Sequence, residues 1–161
     1  MDTQYSSKDI IKMVIQAKTK GVDLYLTLAR NSENYHVSNL FAELAKDGQR
    51  HKIQMEKWIN SLDDVTREEA YPGEAALYLK ALVDAGTFNC DAATKKALEM
   101  TVSEEEALQA GITFEKDFML YLHDLKKHVN DEAKESIDSI IEDEIKHLND
   151  FFKIKEKIIK G

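Results

Sequence analysis

A single proline, Pro72, interrupts a chain whose apolar residues recur with the period of an α-helix almost from end to end. Proline ends or kinks a helix and glycine weakens one. A chain of 161 residues with one proline and six glycines therefore has room for long helices. Ile11, Val14, Ile15, Val22, Tyr25 and Leu28 share one face of a first helix, expected from Ser7 to Arg30. Leu40, Phe41, Leu44, Ala45, Met55, Trp58, Ile59 and Leu62 form the stripe of a second, from Tyr35 to Ser61. The third has a strong start signal, Ser103 with Glu106 three residues on, a pairing in which each side chain satisfies the other's free backbone N–H. Its stripe is Leu108, Gly111, Phe118, Leu122 and Leu125. The fourth begins near Asn130–Asp131 and continues through Ile137, Ile140, Ile141, Ile145, Leu148, Phe151 and Phe152. Residues 62–102 break the pattern, with Tyr-Pro-Gly and two short helical pieces near Glu74–Asp84 and Ala92–Met100.

Two antiparallel pairs of long helices joined by one long connection predict an all-α fold, a ferritin-like four-helix bundle with one crossover. An up-down bundle with short loops does not explain so long a middle segment. The length suits one domain over residues 1–161. A composition 43% hydrophobic and 32% charged is that of a globular chain and not of a disordered one.

The formal net charge of −8 opposes nonspecific nucleic-acid binding, which rests on neutralising phosphates. The lysines of the C-terminal KIKEKIIKG complement the dipole of a last helical turn. Cys90 is the only cysteine, which excludes an intrachain disulfide and any Cys-x-x-Cys motif. The opening MDTQYSSKDIIKM has no signal-peptide apolar core, and no apolar run approaches the ~20 residues of a membrane span. The expected location is cytoplasmic, with no nucleic-acid or membrane partner.

Chemistry enters where polar residues interrupt the apolar stripes. Lys18 follows Val14 and Ile15 by four and three residues. Gly48 and His51 follow Leu44, Glu115 lies between Gly111 and Phe118, and Glu144 and His147 follow Ile140 and Ile141. Side chains three or four residues apart on a helix point the same way. Lys18, His51, Glu115, Glu144 and His147 should therefore project inward near mid-helix, and buried charges need partners or a metal. The segments DGQRH (Asp47 to His51) and DEIKH (Asp143 to His147) repeat one pattern, except that Gly48 stands where the second copy has Glu144. Asp47 lies one residue off the inward face. Glu-x-x-His spacing also occurs at Glu33 and His36, but in a predicted connection, where it is a chance pair. His123 and His128 suit the end of the third helix and carry no assigned chemistry.

At these residues the chain resembles the rubrerythrin-type branch of the ferritin-like di-iron proteins. ITFEKDFMLYLHDL resembles the family's third helix and IIEDEIKHL its fourth. AKTKGVDLYLTLA, with Gly21 and Tyr25, resembles the first, and FAELAKDGQRHK the second. The family holds two irons with four glutamates and two histidines. The resemblance implies metal ligands at Glu115, Glu144, His147 and His51. It also puts the first-helix glutamate position at Lys18 (or, by another alignment, Thr19) and the second-helix one at Gly48. It thus implies a metal-binding protein with an altered site, mononuclear or lost, and a residual oxidoreductase role. The cofactor is expected to be iron, one ion per chain or none, with zinc or manganese as alternatives. The other reading is a non-catalytic bundle in which Lys18, paired with Glu115 or Glu144, replaces the metal charge and the protein serves assembly or partner binding. A homodimer is implied by resemblance alone.

Overall fold

The computed structural model describes residues 7–62, 73–85, 103–127 and 129–160. It contains five helices among them and no strand: α1 (Ser7–Asn31), α2 (Tyr35–Leu62), α3 (Gly73–Ala85), α4 (Glu104–Lys126) and α5 (Asp131–Lys160). The four long helices match the periodic stripes to within a residue or two. The first expected middle piece is α3. The second, near Ala92–Met100, lies outside the described residues, as does His128.

The helix starts follow their local chemistry. Asn34 precedes α2, and its Oδ1 accepts from the backbone N–H of His36 at 2.9 Å. Asn130 does the same for Ala133 at 2.9 Å before α5. Ser103 caps α4, its Oγ accepting from the N–H of Glu106 at 3.1 Å. Such a cap contributes ~1 kcal/mol. The Glu104 carboxylate beside it accepts from Ser32 Oγ at 2.7 Å and from the Glu33 N–H at 3.1 Å, tying the α1–α2 connection to the start of α4.

α1 pairs with α2 and α4 with α5; the pairs meet through α1 against α4 and α2 against α5, and α3 packs on α1 and α4. This is the ferritin-like arrangement. The buried stripes merge into one core. Its aromatic centre is Tyr25, Phe41, Phe114 and Phe151, with ring centroids 5.5 to 6.4 Å from Tyr25. Two glycines make room for it. A Cβ at Gly21 would collide with the Phe114 ring, and one at Gly111 with the Phe151 ring. Close helix approach at mid-bundle therefore depends on these two residues, and the polar cluster lies directly beside them.

Candidate metal centre

Each of the five residues expected to point inward does so. Lys18 is 2% exposed, His51, Glu115 and Glu144 are 0%, and His147 is 6%. They come from four different helices at mid-length, so no local segment could assemble the cluster alone. Glu33, in the connection before α2, and His36, at its start, are by contrast exposed and away from it, and His123 is exposed on α4.

Glu144 is the hub, and its two oxygens face different company. Oε1 accepts from Lys18 Nζ at 2.9 Å. The same oxygen is 3.1 Å from His51 Nδ1, without the alignment of a hydrogen bond. Oε2 lies 3.3 Å from His147 Nδ1. Glu115 approaches from the opposite side: its Oε1 accepts from the Tyr25 hydroxyl at 2.8 Å and is 3.8 Å from His147 Nδ1. One ligand atom each from Glu115, Glu144 and His147 lies within 4.8 Å of the others. The 3.3 and 3.8 Å separations from His147 Nδ1 suit donors about one ion at ~2.0–2.2 Å, with at most a small closing of the two carboxylates.

Lys18 thus pairs with Glu144 and not with Glu115. Its Nζ also sits 4.3 Å from the Phe118 ring centroid and 5.7 Å from that of Phe114, a cation–π setting within the core. Gly48 lies beside the lysine and lets its helix come close. A Cβ there would lie 2.5 Å from Val22 Cγ2 and 3.5 Å from Lys18 Cε. The missing side chain lets α1 press against α2 at the level of the ammonium.

Behind the histidines is a layer that inward-facing logic did not find. His51 Nε2 meets Asp143 Oδ2 at 2.9 Å, and His147 Nε2 meets Asp47 Oδ2 at 2.9 Å. Each aspartate of the repeated Asp-x-x-x-His pattern therefore holds the histidine of the other copy. Arg50, on the surface, bridges both, donating to Asp47 at 3.1 Å and Asp143 at 3.2 Å. Asp47, one residue off the inward face, braces a histidine and does not turn inward. The signal for this layer was the repeat itself, since two copies facing each other can exchange partners. A ring whose outer nitrogen bonds a carboxylate has its tautomer and orientation fixed, and its inner nitrogen is left as a donor to a metal.

The electrostatics agree with the geometry. Burial alone would raise the Glu144 carboxyl, but the Lys18 ammonium first, and then the His147 and His51 rings beside it, hold it well below the usual carboxylate range. Burial likewise opposes the shift at His147, yet its bonds to Glu144 and Asp47 raise it above the ordinary value. Asp47 is lowered against the pull of burial, by His147 first and then by Arg50 and His51. Burial, and then the Glu144 charge, raise the Tyr25 phenol well above its ordinary value, so it stays a donor to Glu115.

Two buried side-chain atoms among the described residues have no hydrogen-bond partner, and both are here: His51 Nδ1 and Glu115 Oε2. Buried polar atoms are rarely left so, and an absent ion is one explanation. The donor set fits a single ion, with two carboxylates and an imidazole converging. At the two positions where the family resemblance would put further glutamates stand Lys18 and Gly48, an ammonium and no side chain.

The family described as Rubrerythrin matches residues 9–155. No curated protein and no solved structure gives a significant match.

Proposed function

Because the chain belongs to the rubrerythrin family, we propose that it holds one divalent metal ion per chain through Glu115, Glu144 and His147, with the Lys18 ammonium standing in for a second ion. The observation that carries this reading is the unpartnered Glu115 Oε2, buried beside a triad of convergent donors. His51, also expected as a ligand, faces the Lys18 side of Glu144, where its Nδ1 completes the half of the site that lost its carboxylates. Iron, zinc and manganese all suit two carboxylates and an imidazole. A bound ion would supply a Lewis acid or, if iron, a one-electron centre; the chain's own part is to fix the donors, brace His147 through Asp47 and hold Tyr25 as a donor to Glu115. A residual oxidoreductase role would rest on iron alone.

The second reading, a bundle that uses the cluster only as a charge network for assembly or partner binding, is favoured by one contact, the 2.9 Å ion pair of Lys18 with Glu144. Metal analysis after anaerobic loading separates the two. One ion per chain, abolished by Glu144→Ala or His147→Ala and kept by Glu33→Ala and His36→Ala, supports the metal site. No uptake leaves the charge network, and two ions per chain would refute both.

A further inference from the structure

Lys18 and the convergent triad share one carboxylate group. The ammonium is 2.9 Å from Oε1 of Glu144, and the triad's imidazole nitrogen is 3.3 Å from Oε2. Lys18 is buried, and its ammonium also faces the Phe118 and Phe114 rings. A charge placed so is poorly screened and acts on whatever lies across the carboxylate.

We infer that Lys18 selects the valence of the bound ion, admitting a divalent cation to the triad and disfavouring a trivalent one. The inference rests on the triad being a metal site and adds the class of ion that it takes. Glu115 and Glu144 bring two negative charges to the interior, and Lys18 cancels one of them before any ion enters. With neutral imidazoles, a divalent ion leaves the buried cluster with one excess positive charge and a trivalent ion with two. Asp47 and Asp143 lie on the outer side of the rings, and Arg50 bridges them there. Each uncompensated charge in a low-dielectric interior is costly, so the second excess charge weighs against the trivalent ion. Remove the ammonium and the balance moves by one unit, which brings the trivalent complex to the balance that the divalent complex has in the parent. Ferrous, zinc and manganous ions are the favoured occupants. A ferric ion is not, and the site is built to hold an ion at fixed valence rather than to accumulate oxidised iron.

The test uses Zn2+ and Ga3+, the second supplied as its nitrilotriacetate complex. Both are titrated by competition dialysis into the full chain, Lys18→Met and Lys18→Arg. The ratio of Ga3+ to Zn2+ affinity should rise roughly tenfold or more in Lys18→Met, as expected for one unit charge this close. It should stay at the parent value in Lys18→Arg, which keeps the charge. In iron-loaded protein the Fe(III)/Fe(II) potential should fall in Lys18→Met. An unchanged ratio in Lys18→Met, or an equal rise in both variants, overturns the inference while leaving the metal site standing. If Lys18→Met does not fold, the parent decides: tighter binding of Ga3+ than of Zn2+ overturns the inference, and preference for Zn2+ supports it. A parent that takes up neither ion removes the metal site itself.

Discussion

The two helix pairs carry the same Asp-x-x-x-His pattern at the same height and put it to different uses. In the α4–α5 pair, Glu115, Glu144 and His147 converge, and the position after Asp143 is a buried carboxylate. In the α1–α2 pair the position after Asp47 is Gly48, and the facing helix presents Lys18. The outer layer is unaffected: Asp47 and Asp143 still cross to the opposite histidine at 2.9 Å. The pair without these carboxylates has its own histidine and brace. An ammonium and a closer helix contact fill the space, so the two halves stay complementary in charge and shape. The comparison teaches that Lys18 and Gly48 belong together, since one supplies charge and the other lets the helices approach beside it.

The largest effect should come from breaking the hub. In metal-free protein, Glu144→Ala leaves the Lys18 ammonium buried without its partner, which typically costs ~3–5 kcal/mol. The twin change, Gly48→Ala, adds a helix-favouring Cβ but presses on Val22, and should cost at most about 2 kcal/mol. Urea denaturation reads both. Equal losses would mean that the two halves are not asymmetric in energy. Replacing both charges, as Lys18→Met with Glu144→Leu, should recover most of the loss.

Acidity tests the same asymmetry without changing the fold. Glu144 is held below its ordinary 4.5 in the folded state, so its contribution is complete above that pH and is lost as pH falls through the depressed value. His147 is held above its ordinary 6.5, so its contribution is complete below 6.5 and is lost as pH rises through the raised value. Without metal, the melting temperature should peak between these two pH values. Lys18→Met should flatten the acid limb and His147→Gln the alkaline limb. A profile unchanged by either substitution would show that the cluster does not set the pH dependence.

Much of this was legible in the sequence, and the reasons are specific. Lys18, His51, Glu115, Glu144 and His147 sit three or four residues from apolar neighbours, and helical geometry turns that spacing into direction. The four long helices were legible for the same reason, and Ser103 with Glu106 marked the start of α4. Which glutamate Lys18 would choose was not, because Glu115 and Glu144 both point inward and only the way the two helix pairs pack together separates them. Nor was the crossed Asp47–His147 and Asp143–His51 layer read, since those aspartates sit off the inward face and reach across between helices. That a glycine at 48 leaves room beside Lys18 was legible, but the tight contact is with Val22, a contact between helices that no pattern within α2 could reveal.

That contact sharpens the next experiment. Restoring carboxylates as Lys18→Glu with Gly48→Glu would recreate the missing ligands, but the new Cβ meets Val22 Cγ2 at 2.5 Å. The variant to make therefore adds Val22→Ala. Without metal it should be less stable than the parent, because clustered carboxylates repel and desolvate poorly. With iron it should bind two ions per chain and gain about 2.7 kcal/mol at a free-ion concentration of 100 Kd. If the triple variant binds two ions and the double does not, packing at Val22 is the barrier between the halves. If neither does, the α1–α2 pair has diverged beyond what these three positions can reverse.

The smallest effect separates the two braces. A carboxylate behind a ligating histidine raises its basicity and fixes its ring, and losing it typically costs 10–100-fold in metal affinity. Asp47 stands behind His147, which belongs to the triad, whereas Asp143 stands behind His51, which faces Lys18. Each aspartate also contacts Arg50, at 3.1 and 3.2 Å, so both substitutions disturb the surface pairing to a similar degree. Asp47→Asn should therefore weaken Zn2+ binding about tenfold, near 1.4 kcal/mol, with folding stability little changed. Asp143→Asn should weaken it much less. Titration of both variants against a competing chelator measures the difference. If Asp143→Asn is the more damaging, the ion sits on the His51 side of Glu144, and Lys18 must move aside to admit it.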